Sequence, residues 1–260
     1  MKNYAYLLLL GILLLGSCKT PHDITYLQDV RETVSIPVPG DGSIRFRPGD
    51  KLSIYVHSRE EKLMALFNLQ RNAGSSTGSS SSTRYAYTVN ERGEIDFPVL
   101  GAVKVMGLTR TEVAELIKDR LVTSNNCKDA VVTVEFYNMT FSVLGTVGGA
   151  GMIPITKDRV TLLDAIAMAS DLQIDGLRRN VLVMRQEGDR QVPYRVDLTS
   201  AESVYNSPVY YIRQNDVVYV EPNDKNKRNS TVMGSSAYQP AFWMSLATFC
   251  ITIGLFFTKL

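Results

Sequence analysis

The feature that most restricts this chain is the uncharged block at residues 241–258, AFWMSLATFCITIGLFFT. About twenty helical residues reach ~30 Å, the thickness of a bilayer core, so the block either crosses a membrane or lies inside a protein core. Pro240 suits a helix start, Trp243 an interfacial belt, and Lys259 can extend to a headgroup layer. Its position after a polar stretch favours a transmembrane helix over residues 241–260. A helix buried in the globular part is the alternative.

The front of the chain is apolar as well. Lys2 supplies a positive start, residues 6–15 an apolar run too short for a secure bilayer span, and Gly16 and Ser17 the small residues of a secretory cleavage site. The stretch LGSC at 15–18 resembles a bacterial lipobox. That makes residues 1–17 a lipoprotein signal peptide and Cys18 the lipid-attachment site. An ordinary signal peptide with a chance cysteine, or an uncleaved anchor, is the alternative. Lys19 follows the cysteine, where an Asp would suggest inner-membrane retention.

Between the ends, charge is nearly balanced, with 28 Lys and Arg against 26 Asp and Glu, which argues against a nucleic-acid partner. Three cysteines, at 18, 127 and 250, offer no disulfide framework. The two histidines, His22 and His57, are far apart in the sequence, so no metal cluster, cofactor site or histidine-based catalytic group is expected. Glu91, Glu94 and Asp96 surround a turn, where carboxylates are ordinarily solvated. The chain reads as a non-enzyme.

Residues 18–43 are polar and proline-bearing, as in a tether. The phrase IRFRPGDKLSIYV at 44–56 begins with a Pro48-Gly49 turn and continues as an alternating strand. It partly recurs as YYIRQNDVVYVEP at 210–222, where Arg213 to Asp216 align with Arg47 to Asp50; this is either a recurring turn or a mark of related units. The Ser/Gly run at 72–84 lacks a Gly-Lys-Ser/Thr ending and reads as a surface insertion. Tyr87 to Val89 and Ile95 to Phe97 flank Asn90 and Gly93 and are expected to form a hairpin. Thr109 with Glu112 makes a capping box for a helix with Val113, Leu116, Ile117 and Leu121 on one face. A strand follows at DAVVTVEFYN. Two strand-like runs come next around the glycines of FSVLGTVGGAGMIPI, then a helix capped by Thr161 and Asp164, then strands at NVLVMRQ, YRVDL and DVVYVEP. The fold class is α+β, with helices laid on small sheets.

RFRPGDKLSIYV followed by VNERGEIDFPVLGAVKVMGLTRTEVAELI resembles the polysaccharide export domain of outer-membrane polysaccharide exporters. The segments from FSVLGTVGG to VYYIRQNDVVYVEP resemble the soluble ligand-binding β-grasp domain that follows it in that family. The chain departs at Ser170-Asp171, where the family usually has Gly-Gly, and at Gly149-Ala150-Gly151, where it has Pro-Gly. The resemblance implies an export domain at 44–140, a β-grasp domain at 141–222, a linker at 223–240 and the terminal helix. It further implies an outer-membrane lipoprotein with a periplasmic body, forming a homo-oligomeric ring. Capsular or extracellular polysaccharide would pass from an inner-membrane copolymerase of the tyrosine autokinase type through an α-helical pore. A non-conducting polysaccharide-binding lipoprotein anchored at both ends is the alternative. At ~100° per residue, Ser245, Thr248, Thr252 and Lys259 share a narrow arc of the terminal helix and are the expected pore-facing residues. In a plain anchor the same hydroxyls can bond preceding backbone carbonyls instead.

Overall fold

The computed structural model describes residues 24–30, 35–59, 67, 86–124, 127, 129–231 and 240–258, with side chains in the last helix described through 249 and at 252 and 253. Cys18, Lys259, the Ser/Gly run and most of the signal and tether lie outside these residues.

The first unit is built on β1 (Lys51–His57), the middle strand of an antiparallel sheet in the order β2-β1-β5, where β2 is Tyr87–Thr88 and β5 is Val131–Phe136. Leu52, Ile54 and Val56 of β1 are buried, as their alternation requires. Helix α1 (Arg110–Thr123) packs beside β5 and buries Val113, Ile117 and Leu121. Its capping box is formed: the Glu112 N–H donates to the Thr109 hydroxyl, and the Thr109 N–H donates to the Glu112 carboxylate at 2.8 Å.

The expected hairpin between 87–89 and 95–97 is corrected by the pairing. The turn exists, with the Gly93 N–H donating to the Asn90 carbonyl at 2.8 Å, but β2 pairs with β1. Strand β3 (Glu94–Phe97) pairs instead with β4 (Gly101–Lys104), across a Pro98-Val99-Leu100 tip.

The second unit is a five-stranded mixed sheet in the order β7-β6-β10-β8-β9. Its strands are β6 (Thr140–Gly145), β7 (Gly151–Pro154), β8 (Gly176–Glu187), β9 (Arg190–Val196) and β10 (Val217–Pro222). Strands β6 and β10 run parallel, and the other pairs are antiparallel. Helix α2 (Leu162–Met168) has the expected Thr161–Asp164 capping box and buries Leu162, Ala165 and Ile166. A five-residue helix, α3 (Ala201–Tyr205), is added between β9 and β10. The buried side chains of both units form one continuous cluster. A backbone bond crosses the junction from the Ile44 N–H to the Asp158 carbonyl at 2.8 Å.

Three segments depart from expectation. Within the tether, residues 24–30 dock on the second unit. The Leu27 and Gln28 N–H groups donate to the carbonyls of Leu198 and Thr199, the Tyr26 hydroxyl donates to Asp171, and Asp29 accepts from the Ser200 hydroxyl and the first N–H groups of α3. Within the linker, α4 (Asp224–Asn229) forms because Asn223 caps it and Asp175 receives the Asn226 side chain at 2.8 Å. Ser170 and Asp171 both sit in the left-handed region, with φ of 59° and 65°. Glycine adopts that conformation at no steric cost, whereas Ser170 and Asp171 bear strain there. Here Asp171 is held by its contact with Tyr26 and by backbone bonds to Ile166 and Gly148.

The last segment is a helix, α5 (Pro240–Thr258), of 19 residues. At 1.5 Å per residue it runs about 28 Å, slightly less than an average bilayer core. Among the described residues no helix is long and apolar enough to cross a membrane, so the expected transmembrane span over 241–260 is corrected: the segment is helical, but its span of the bilayer is not supported.

Candidate functional site

The recurring sequence phrase folds into one turn used twice. At Arg47–Asp50, the Asp50 carboxylate accepts the Arg47 N–H at 2.8 Å, and the Asp50 N–H returns to the Arg47 carbonyl. At Arg213–Asp216, Asp216 accepts the Arg213 N–H at the same distance, with the same return bond. Gly49 (φ 89°) and Asn215 (φ 65°) hold the equivalent left-handed position, which explains why glycine and asparagine stand there. Each turn leads into an interior strand of its sheet, β1 or β10.

Both turns line one cleft of about 810 Å³ between the units. One wall is the stretch 41–50; the other combines the tip of the β8–β9 hairpin with the loop 208–215. Gly42 lies flat against the Tyr211 ring, where an added Cβ would stand 2.3 Å from a ring carbon, so only glycine permits this approach. The Tyr211 hydroxyl donates to the Pro39 carbonyl at 3.2 Å, fastening the lead-in to the second unit.

The charges of the cleft divide into engaged and unengaged groups. Arg45 pairs with Asp41 at 3.0 Å and Glu112 at 3.1 Å. Hydrogen bonds from Ser43 and Arg45 hold the Asp41 carboxyl down at about 2. Burial pushes the Asp50 carboxyl up to about 6, against the opposing pull of the Arg47 N–H and charge. Asp216 is met by the buried Arg185 at 2.6 Å, whose remaining hydrogens go to the carbonyls of Pro208 and Tyr211. Arg47 and Arg213 are exposed, and among the described residues neither has a carboxylate within ion-pair distance. Partial desolvation of the Arg213 head group, then repulsion from Arg185 and Arg47, lowers its pKa against the attraction of Asp216 and Glu187.

Sequence reasoning singled out the turns but not the cleft, because nothing local to either phrase says that they converge. The carboxylates Glu91, Glu94 and Asp96 lie around the first unit's turn, away from it. Among the described residues no three His, Cys, Asp or Glu side chains gather as for a metal ion.

The remaining expected site residues belong to α5. Its described side chains from Pro240 through Phe249, with Thr252 and Ile253, are all exposed, including Trp243, Met244 and Phe249 at 57, 65 and 62%. Ser245, Thr248 and Thr252 are brought to one side by the helix repeat. The Thr248 hydroxyl donates to the Met244 carbonyl and the Thr252 hydroxyl to the Thr248 carbonyl, each at 2.8 Å. Lys259 and Cys18 fall outside the described residues.

Residues 38–136 match the family model described as polysaccharide biosynthesis/export protein. The matched segment opens in the lead-in against Tyr211, includes the Arg47–Asp50 turn, and ends on the last residue of β5. The match falls on the first of the two units and supports a general role in polysaccharide export.

Proposed function

We propose that the protein is one subunit of an oligomeric, outer-membrane conduit through which capsular or extracellular polysaccharide leaves the cell, and that it performs no chemical step on its cargo. The observation that carries this reading is α5, an apolar helix exposed at every described side chain, on a chain with an export domain. Apolar surface in water costs about 25 cal/mol per Å², so this helix requires a covering. A closed ring of copies within a bilayer supplies one and leaves an axial path.

The placement of the two ends supports an orientation. The docked segment at 24–30 begins six residues after Cys18, a reach of ~20 Å when extended, and it is fastened to the second unit. Helix α5 follows β10 and α4 of the same unit. With Cys18 lipidated and α5 inserted, the second unit, read as the soluble ligand-binding β-grasp domain, lies against the membrane. The export domain then faces the periplasm and an inner-membrane copolymerase of the tyrosine autokinase type.

A second reading, a non-conducting polysaccharide-binding lipoprotein anchored at both ends, is favoured by one observation. The Thr248 and Thr252 hydroxyls are already satisfied by their own helix, as a dry anchor requires. The two readings separate in a Cys250→Ser background carrying Ser245→Cys, Thr248→Cys or Thr252→Cys. In a conduit these thiols react with small water-soluble reagents, while Phe249→Cys and Ile253→Cys react poorly. Equal protection at all five positions rejects the conduit lined by this helix.

A further inference from the structure

The cleft between the units has an opening in its hydrogen-bond accounts that the fold itself does not fill. Arg47 and Arg213 reach it from the two equivalent turns, and each spends its backbone N–H on its own aspartate while its guanidinium has no carboxylate partner among the described residues. Gln214, next to Arg213 and also lining the cleft, has a side-chain oxygen that is buried without a donor. A buried acceptor left unpaired costs about 1–3 kcal/mol, so the wall beside Arg213 is not internally satisfied. The acidic groups nearby are mostly engaged. Asp41 is held by Ser43 and Arg45, and Asp50 faces back into its own turn. Among the described residues, Asp189, exposed at the hairpin tip, is the acidic side chain of the lining for which no such engagement is seen. One face of the Tyr211 ring is covered by Gly42, and the lining is otherwise largely polar.

We infer that this cleft binds an acidic sugar unit of the exported glycan, its carboxylate bridging Arg47 and Arg213. The inference rests on the polysaccharide-export reading and names a substrate class for it. Guanidinium groups match a carboxylate in shape and charge, and one binding group on each unit ties the ligand to both halves of the molecule. With exposed arginines, the site holds its ligand weakly, which suits a chain in transit.

The test is calorimetric titration of full-length protein in detergent with a galacturonic acid trimer, its fully methyl-esterified form, and inorganic phosphate. The inference expects saturable binding of the acid trimer only. It expects about tenfold weaker binding in Arg47→Gln/Arg213→Gln, corresponding to loss of one charged two-point contact. Equal binding of the ester overturns it, as does an unchanged affinity in the double variant. Phosphate competing as strongly as the trimer reduces the site to a general anion site and overturns the sugar assignment. Mass photometry of the same samples reads assembly separately. A double variant that falls apart into monomers makes the cleft a contact between copies and overturns the inference. A wild-type monomer that still binds the trimer upholds the site while removing the conduit.

Discussion

The turn at Arg47–Asp50 and the turn at Arg213–Asp216 follow the same backbone path and begin interior strands of their sheets, but their buried carboxylates live in different surroundings. Asp216 is 1% exposed and faces Arg185, itself 2% exposed, which also ties down the Pro208 and Tyr211 carbonyls. Asp50 is 8% exposed, has no such cation, and its carboxyl is pushed up to about 6. A local motif specifies the turn, but the tertiary neighbourhood decides whether its carboxylate is clamped by charge or lies close to neutralisation. The clamped turn organises the loop that forms one wall of the cleft; the unclamped one sits on the opposite wall.

The strongest way to break this comparison is to remove the clamp. Arg185→Met leaves Asp216 buried without its cation, and Asp216→Asn strands Arg185; each is expected to cost about 3–5 kcal/mol in urea denaturation. Arg47→Met, at the exposed guanidinium of the other turn, is expected to cost less than about 1 kcal/mol. Equal losses at the two arginines contradict the difference drawn here.

Asp50→Asn is expected to act with the opposite sign to Asp216→Asn. The folded-state pKa of Asp50 lies above its ordinary value near 3.8, so the group's contribution to stability is complete below that value and disappears as pH rises through about 6. At pH 7 the substitution is expected to stabilise the protein by on the order of 2 kcal/mol, and at pH 4 to change little. Thermal denaturation across pH 4–7 measures this directly, and a flat difference between variant and wild type refutes it.

Smaller effects concern the strained pair and the strap on it. Ser170→Gly relieves one left-handed residue and is expected to gain about 1 kcal/mol. Tyr26→Phe removes the donor to Asp171 and is expected to cost about 1 kcal/mol, read as faster amide exchange at Leu27 and Gln28. Burial, with the Asp171 contact, raises the Tyr26 hydroxyl to about 12. The strap's contribution from this group is therefore intact below pH 10 and is lost as pH rises through 12. Protease cleavage before the first unit, followed across that window, shows the release in wild type and its absence in Tyr26→Phe.

What the sequence made legible was local. Thr109 with Glu112, and Thr161 with Asp164, announce their helices because a capping box is complete within four residues. The alternating apolar positions of β1 and β5 likewise need no distant partner. Pairing does need one, and the assignment of β3 to β4 depended on a tip at Val99 held at φ 69°, a conformation that a β-branched residue does not advertise. Helix α4 was hidden in a polar stretch because its support, Asp175, lies far back in the chain. Arg185 looked like an ordinary strand arginine until Asp216 faced it. The cleft was invisible for the same reason: its two turns were each readable, and their convergence was not.

The central claim, that this export-domain protein assembles into a conduit with its terminal helices at the axis, is tested most directly by electron microscopy of full-length protein extracted in mild detergent. The account predicts a closed ring with a continuous water-filled axial path, the α5 helices side by side in the detergent belt and the second unit next to them. A monomer across the range of concentrations and detergents, or a ring whose helices are packed shut along the axis, contradicts it.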